Sequence, residues 1–319
     1  MALAEYGIES AVVEKEPRLG GKASLLNCKA VDGVCQVCGA CLAGKKIEAV
    51  GQQELIKVLV SAEVVGARDL GHGFEVDVKT PEGNTVLFAS GIIVAVGIDT
   101  FPSRLRPEFG YCHLPGVITA LELEGILKES PEILGENPRM AFVQCFGSRE
   151  RSGVGVPYCS RVCCLYVPKL ARKVRAEVSG SCVDLYLIDR QRYETLYRAQ
   201  TSFCDEIRAM PSKVYLEPGG QLAVVYDDPE TRKPKTRRYD WVVLCPALIP
   251  GTDAPSLAVL LGLGVSQDGF LRTGERGSGK RRRVLTAGAC TGPMSIVESI
   301  ASGRAAAGQM LNELNFINR

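Results

Sequence analysis

The chain has 319 residues, 46% of them hydrophobic and 23% charged, the composition of an ordinary folded protein long enough for about two domains. Lys and Arg number 38 against 36 Asp and Glu, a formal charge of +2 that removes any global electrostatic case for nucleic acid as a partner. The apolar stretch around residues 89–98 is too short to span a bilayer, and the first residues carry no basic region of a secretory signal, so a cytoplasmic location is expected. Cysteine is the outlier. In a reducing compartment the 13 cysteines read as metal ligands or redox groups wherever they cluster.

Residues 1–6 read as the end of a helix closed by Gly7, followed by a short strand over 8–13 that ends at Glu14. An acidic residue at the end of the second strand of a βαβ unit is where a dinucleotide's ribose is held. An αβ unit that binds nothing is the plain alternative. The glycine-rich phosphate turn of such a unit lies about 20 residues before the acid, which places that turn and the first strand ahead of Met1. Gly20 and Gly21 allow close backbone approach to a ligand. A helix is expected over 52–62, antiparallel strands over 63–88 with a turn at 81–84, and a buried strand over 91–97. A second αβ unit starts at 140–145 and reaches a strand at 183–189. The basic run 232–238 reads as a solvated hairpin tip. The strand at 241–245 is expected to return to the first sheet, and 274–283 reads as a flexible loop. A strand at 284–290 and a helix over 295–311 close the chain. Cys182, Cys204 and Cys245 read as core, His72 and His113 as turn and surface residues. No serine–histidine–acid arrangement is present.

Cys28, Cys35, Cys38 and Cys41 are spaced C-x6-C-x2-C-x2-C. The tight C-x2-C-x2-C portion resembles bacterial ferredoxin spacing, in which successive loop cysteines wrap one cube. Zinc prefers two separated C-x2-C knuckles and ranks second; free surface thiols rank third.

The order of strand, E-x5-G-G and a closing A-G-A-x-x-G-P before a helix resembles the two-dinucleotide-binding-domain flavoproteins. That resemblance implies an α/β chain with two Rossmann-like dinucleotide-binding domains of the glutathione/thioredoxin reductase type, the first strand and phosphate loop missing. It further implies FAD, contacted by Glu14, Lys15, Gly20, Gly21, Lys22, Val96, Gly97, Gly288, Ala289, Cys290, Gly292, Pro293 and Ile296. The closing helix would point its positive end at the flavin. Such proteins usually carry aspartate where Cys290 stands, so part of that contact would fall to backbone or water.

Residues 143–149 (VQCFGSR) and 156–164 (VPYCSRVCC), with 110–124, 14–21 and 287–299, resemble the A-type subunits of heterodisulfide reductase. The resemblance implies FAD beside a [4Fe–4S] cluster held by Cys145, Cys159, Cys163 and Cys164, with a second cluster at Cys28–Cys41. It also implies an oxidoreductase acting with the other subunits of an electron-transfer complex, and a homodimer. The additional ferredoxin-like modules of that family lie outside these residues, which puts electron bifurcation in doubt. Four thiolates suit a [4Fe–4S] cube, and Arg149 and Arg161 add positive charge. Buried structural cysteines, or a redox disulfide such as Cys163–Cys164, remain the alternatives for this set. Residues 1–130 are expected to form the first part of the FAD domain, 131–235 an inserted second Rossmann-like domain, and 236–319 the rest of the FAD domain. The turn after Val143 lacks G-x-G-x-x-G, which disfavours NAD(P)H. The competing functions are a pyridine-nucleotide-dependent disulfide reductase and a scaffold subunit that has lost FAD.

Overall fold

The computed structural model describes residues 1–151, 153–191, 204–273 and 283–314. The chain divides into two compact units: Met1–Ser24 with Gly39–Asp99 and Pro250–Arg319, and Leu25–Cys38 with Thr100–Ile249. The second unit is thus wider than the 131–235 segment expected for it.

The first unit opens with β1 (Ser10–Val13), whose chain continues to α1 (Ala40–Gly51) and β2 (Ile56–Leu59). Strands β1 and β2 pair in parallel. The helix expected over 52–62 is therefore displaced: the helix lies earlier, and Ile56-Lys-Val-Leu59 is a strand. Antiparallel β3 (Glu63–Asp69), β4 (Phe74–Thr80) and β5 (Gly83–Ala89) follow as expected. In β4, Phe74, Val76 and Val78 turn into the core while Glu75 and Asp77 turn out, the period-two alternation of a half-buried strand. After β6 (Ile92–Val94) the chain leaves this unit within β7 (Ile98–Thr100).

The second unit is built on a parallel sheet. Its elements begin with β8 (Val117–Thr119), α2 (Ala120–Glu129), β9 (Arg139–Phe146), α3 (Cys163–Glu177), β10 (Cys182–Tyr186) and β11 (Asp205–Ile207). A three-stranded antiparallel excursion follows, β12 (Pro211–Leu216), β13 (Leu222–Asp227) and β14 (Pro234–Tyr239), before β15 (Trp241–Pro246) and β16 (Leu248–Pro250). The main sheet has the order β11-β10-β9-β15-β8, every pair parallel. Strand β15 thus lies between β8 and β9 and not in the first sheet. Most of the basic run is paired in β14 and not at a hairpin tip. Thr119 starts α2 with a capping box, its hydroxyl accepting from Glu122 N–H and the Glu122 carboxylate accepting from Thr119 N–H. Helix α3 carries Pro168, which has no N–H for the carbonyl of Cys164 four residues back; Arg190 Nη1 donates to that carbonyl instead, at 3.5 Å.

Back in the first unit, α4 (Ala254–Leu261), β17 (Gly264–Val265), β18 (Leu271–Arg272), β19 (Val284–Thr286) and α5 (Ile296–Glu313) complete the chain. Strand β19 pairs in parallel with β6. Residues 274–282 of the loop read as flexible lie outside the described residues. Ser295 caps α5, accepting from Glu298 N–H at 3.2 Å while the Glu298 carboxylate accepts from Ser295 N–H at 2.7 Å. No helix among the described residues is long and apolar enough to cross a membrane.

Candidate functional site

Strand β9 is buried from Met140 to Phe146, and at its end the backbone leaves regular extension. Cys145 sits at φ +57°, in the left-handed region that L-residues with side chains seldom occupy. Pairing with β15 shifts register at the same place: Val143 faces Leu244, but Phe146 faces Pro246. The irregularity breaks the in–out alternation and brings the Cys145 side chain onto the face that carries α2 and α3. There it joins Cys163 and Cys164 in one buried cluster. All three cysteines are buried, and Cys159 is half-buried.

The segment between Cys145 and Cys159 is pinned by its own backbone. Ser148 N–H donates to Cys145 O at 2.9 Å, Val156 N–H to Gly147 O at 2.9 Å, Glu150 N–H to Val156 O at 2.9 Å and Arg149 N–H to Tyr158 O at 3.0 Å. Gly147 is required here: at φ +70°, a Cβ would lie 2.5 Å from the Phe101 ring. The Ser160 hydroxyl accepts from Leu248 N–H at 2.9 Å, and Tyr158 Oη donates to Leu248 O at 3.2 Å, which fixes the turn before Cys163.

Donors converge on the sulfurs. Arg161 N–H reaches Cys159 Sγ at 3.3 Å and Gln191 N–H reaches Cys164 Sγ at 3.4 Å. Arg149 pairs with Asp189 in a two-point fork at 2.5 and 3.1 Å, and its charge bears on both Cys145 and Cys159. The Cys163 contact draws the Cys164 thiol down to about 6, helped by Gln191 N–H and Arg190. Cys163 also holds Cys145 below its ordinary value, while Cys163 itself is pushed well up by its two sulfur neighbours and by burial. For Cys145 and Cys164 such surroundings favour thiolate, the form that binds metal.

The second cysteine group differs. Cys28 and Cys35 are exposed and Cys38 half-buried in the Leu25–Cys38 segment of the second unit, while the exposed Cys41 stands in the first turn of α1 in the first unit. Among the described residues no three His, Cys, Asp or Glu side chains are already gathered at metal-ligand geometry, in either group. The Leu25–Cys38 segment is anchored by an ion pair that sequence reading missed. Lys29 and Glu124, 1% and 0% exposed, meet at 2.5 Å. Asn27 N–H donates to the same carboxylate at 3.0 Å, Tyr166 Oη donates to it at 2.9 Å, and Lys29 also reaches Asn27 O at 2.7 Å. Lys169 Nζ donates to Val37 O at 3.1 Å.

In the first unit, Glu14 follows β1 as expected, its carboxylate accepting from Glu16 N–H at 3.0 Å. Lys15 pairs with Asp253, and Lys22 with Asp99 at 2.7 Å. Asp99 also accepts from Thr252 N–H at 2.9 Å; burial raises its carboxyl, but Lys22 and that N–H outweigh burial and hold it below the usual value. Gly20, Gly21, Gly97, Gly288 and Gly292 all adopt positive φ, and Val96 is exposed. Ala289 and Cys290 lie in a short 3-10 turn, followed by Pro293 and by Ile296 at the start of α5. Cys290 itself is 2% exposed, its thiol donating to Ala287 O at 3.1 Å and Val94 O at 3.4 Å. It pins the turn from inside the core. Of the three cysteines read as core, Cys245 is buried, Cys204 half-buried, and Cys182 exposed.

Two α/β units, each assembled from separate stretches of the chain, define the class of two-domain dinucleotide-binding folds found in thioredoxin reductases. Solved structures agree: thioredoxin reductase from Lactococcus lactis matches with a TM-score of 0.63 at 14% identity, over 98% of this chain and 93% of that one. The enzyme from T. acidophilum gives 0.60 at 16% identity, over 98% and 92%. By sequence, the chain belongs to the family of heterodisulfide reductase A-type subunits. It is 36% identical over 238 residues to the A-type subunit of the H2:CoB-CoM heterodisulfide,ferredoxin reductase of Methanothermobacter marburgensis, covering 68% of this chain and 36% of that protein. The A-type iron-sulfur subunit of CoB–CoM heterodisulfide reductase from Methanocaldococcus jannaschii is 30% identical over 319 aligned positions, covering 86% of this chain and 48% of that protein. The chain thus spans about a third to a half of the length of these relatives. No family model matches the chain.

Proposed function

We propose that this chain is the flavin-binding, iron–sulfur-binding core of an electron-transfer oxidoreductase that works with the other subunits of a heterodisulfide reductase-like complex. The observation that carries the reading is the convergence of Cys145, Cys163 and Cys164 in one buried cluster at the end of β9, with Gln191 N–H donating to Cys164 Sγ and the charge of Arg149 bearing on Cys145. Soft thiolates in a buried, positively biased turn fit a [4Fe–4S] cluster with Cys159 as the fourth ligand. Cys28, Cys35, Cys38 and Cys41 are proposed for a second cluster. The glycine turns around Gly20, Gly97 and Gly288, the Glu14 carboxylate and the capped start of α5 fit FAD, with Glu14 accepting from ribose hydroxyls.

When bound, FAD supplies electron-pair chemistry and a cluster supplies single-electron steps. The chain's own residues orient and insulate. Arg149 and Arg190 place positive charge beside the sulfurs, and the β9, α2 and α3 side chains exclude water from them. The relatives' names make them subunits of larger reductases, and partner subunits, a homodimeric state and a cytoplasmic location belong to this proposal.

A second reading has one observation in its favour: Cys145 and Cys163 are buried in the same cluster, as a redox dithiol would be. Anaerobic purification separates the two. The proposal expects flavin absorbance that persists through gel filtration and about four irons with matching sulfide for the Cys145 site. Protein with no iron, in which oxidation links Cys145 to Cys163, contradicts it.

A further inference from the structure

One polar side chain in the sheet has no partner. Gln144 is 0% exposed in the middle strand of the five-stranded sheet, and neither its Nε2 nor its Oε1 makes a hydrogen bond. Leaving such an amide unpaired costs about 1–3 kcal/mol. A strand buried on both faces is ordinarily apolar throughout, and Met140 to Val143 obey that rule.

Strand alternation places the residues on either side of the amide. Met140 and Phe142 pack in the cluster formed with α2 and α3, whereas Ala141 and Val143 pack in the cluster on the opposite face. Gln144 lies at the register shift itself, between Val143 of the second cluster and Cys145 of the first. The cluster packed with α2 and α3 carries the thiols of Cys145, Cys163 and Cys164 together with apolar side chains. The buried Glu124 carboxylate of α2 is already satisfied by Lys29, Asn27 and Tyr166. An orphan donor directly before one of these thiols in the chain suits a ligand that accepts at sulfur.

Resting on the cluster reading above, we propose that the Gln144 side-chain amide donates a hydrogen bond to a sulfur of the cluster held by Cys145, Cys159, Cys163 and Cys164, and so raises its reduction potential. The physical reason is charge: the reduced cluster bears one more negative charge, and a fixed N–H dipole stabilises it more than the oxidised form. Gln144 is thus a positioning and tuning residue, not a ligand.

The test is Gln144→Met, of similar length and volume. In iron-loaded protein the variant is expected to retain the irons of this site and to show a lower midpoint potential in an EPR-monitored redox titration. In iron-free protein the sign reverses: losing an unpaired buried amide raises the folding equilibrium constant by about fivefold or more. A merely structural glutamine would not produce that pair of opposite effects. Pulsed EPR on wild-type protein labelled with 15N at the glutamine side-chain amides gives a check that needs no variant to fold. A nitrogen coupling to the reduced cluster is expected, and its absence overturns the inference. A coupling that persists in Gln144→Met, which would come from Gln191, overturns it too, as does an unchanged potential with iron retained. Wild-type protein without iron overturns the cluster reading itself, and this inference with it.

Discussion

Two short stretches of the chain hold four cysteines each, and the fold treats them differently. Around Cys145 the cysteines are placed by a strand end, a backbone-pinned turn and a helix start. Three are buried, and the sulfurs receive N–H donors from Arg161 and Gln191. In the Cys28–Cys41 stretch three of the four are exposed, and the loop is fastened chiefly through Lys29–Glu124 and Lys169. The first group is preorganised by the sheet. The second is organised by one buried ion pair, so it should respond to a change at Glu124, remote in sequence from all four of its cysteines.

The largest expected effect follows from that anchor. Glu124→Leu strands the Lys29 ammonium in the core and should cost about 3–5 kcal/mol in urea unfolding. The paired replacement Lys29→Met with Glu124→Leu should recover most of it, because removing both charges removes the desolvation penalty. Failure of the double variant to recover would mean that the anchor acts by more than charge pairing. Gly147→Val attacks the other side of the comparison: a left-handed backbone and a Cβ 2.5 Å from Phe101 should together cost about 3 kcal/mol. A stable Gly147→Val would show the Cys145 turn to be less constrained than its geometry implies.

Thiol chemistry compares the two groups directly. In iron-free protein under native conditions, Cys28, Cys35 and Cys41 should be alkylated by a maleimide at least roughly tenfold faster than Cys145 and Cys163, as read by peptide mass spectrometry. Equal rates would erase the distinction. The smallest effect is a control in the first unit. The folded Asp99 carboxyl is depressed by Lys22 and Thr252 N–H, so its contribution is present above the unfolded carboxylate value, near about 3.9, and is lost as pH falls through the folded value. Asp99→Asn should remove that acid-side slope, by less than about 1 kcal/mol given its partial exposure, and leave both cysteine groups unchanged.

Much of this was legible in the sequence. The αβ order, the antiparallel 63–88 segment and the capped closing helix follow local patterns of two and 3.6 residues. What local pattern does not carry is address. Trp241-Val-Val-Leu-Cys245 reads as a buried strand, but nothing in five apolar residues says which sheet it enters. Gly44, Gly51 and the cysteine-rich lead-in hid the periodicity of α1, and Ile56–Leu59 is too short an apolar run to tell strand from helix. The Lys29 pairing carries no local signal because its partner is 95 positions away. Gln144 did leave a signal, a lone amide in an otherwise apolar β9, which becomes informative once the strand is known to be covered on both faces.

The central claim is that Cys145, Cys159, Cys163 and Cys164 bind a [4Fe–4S] cluster. Iron and acid-labile sulfide, measured in anaerobically prepared wild type and Cys163→Ser side by side, test it most directly. The account predicts that Cys163→Ser loses about four irons and four sulfides relative to wild type while the chain stays folded; identical iron in the two proteins would contradict it.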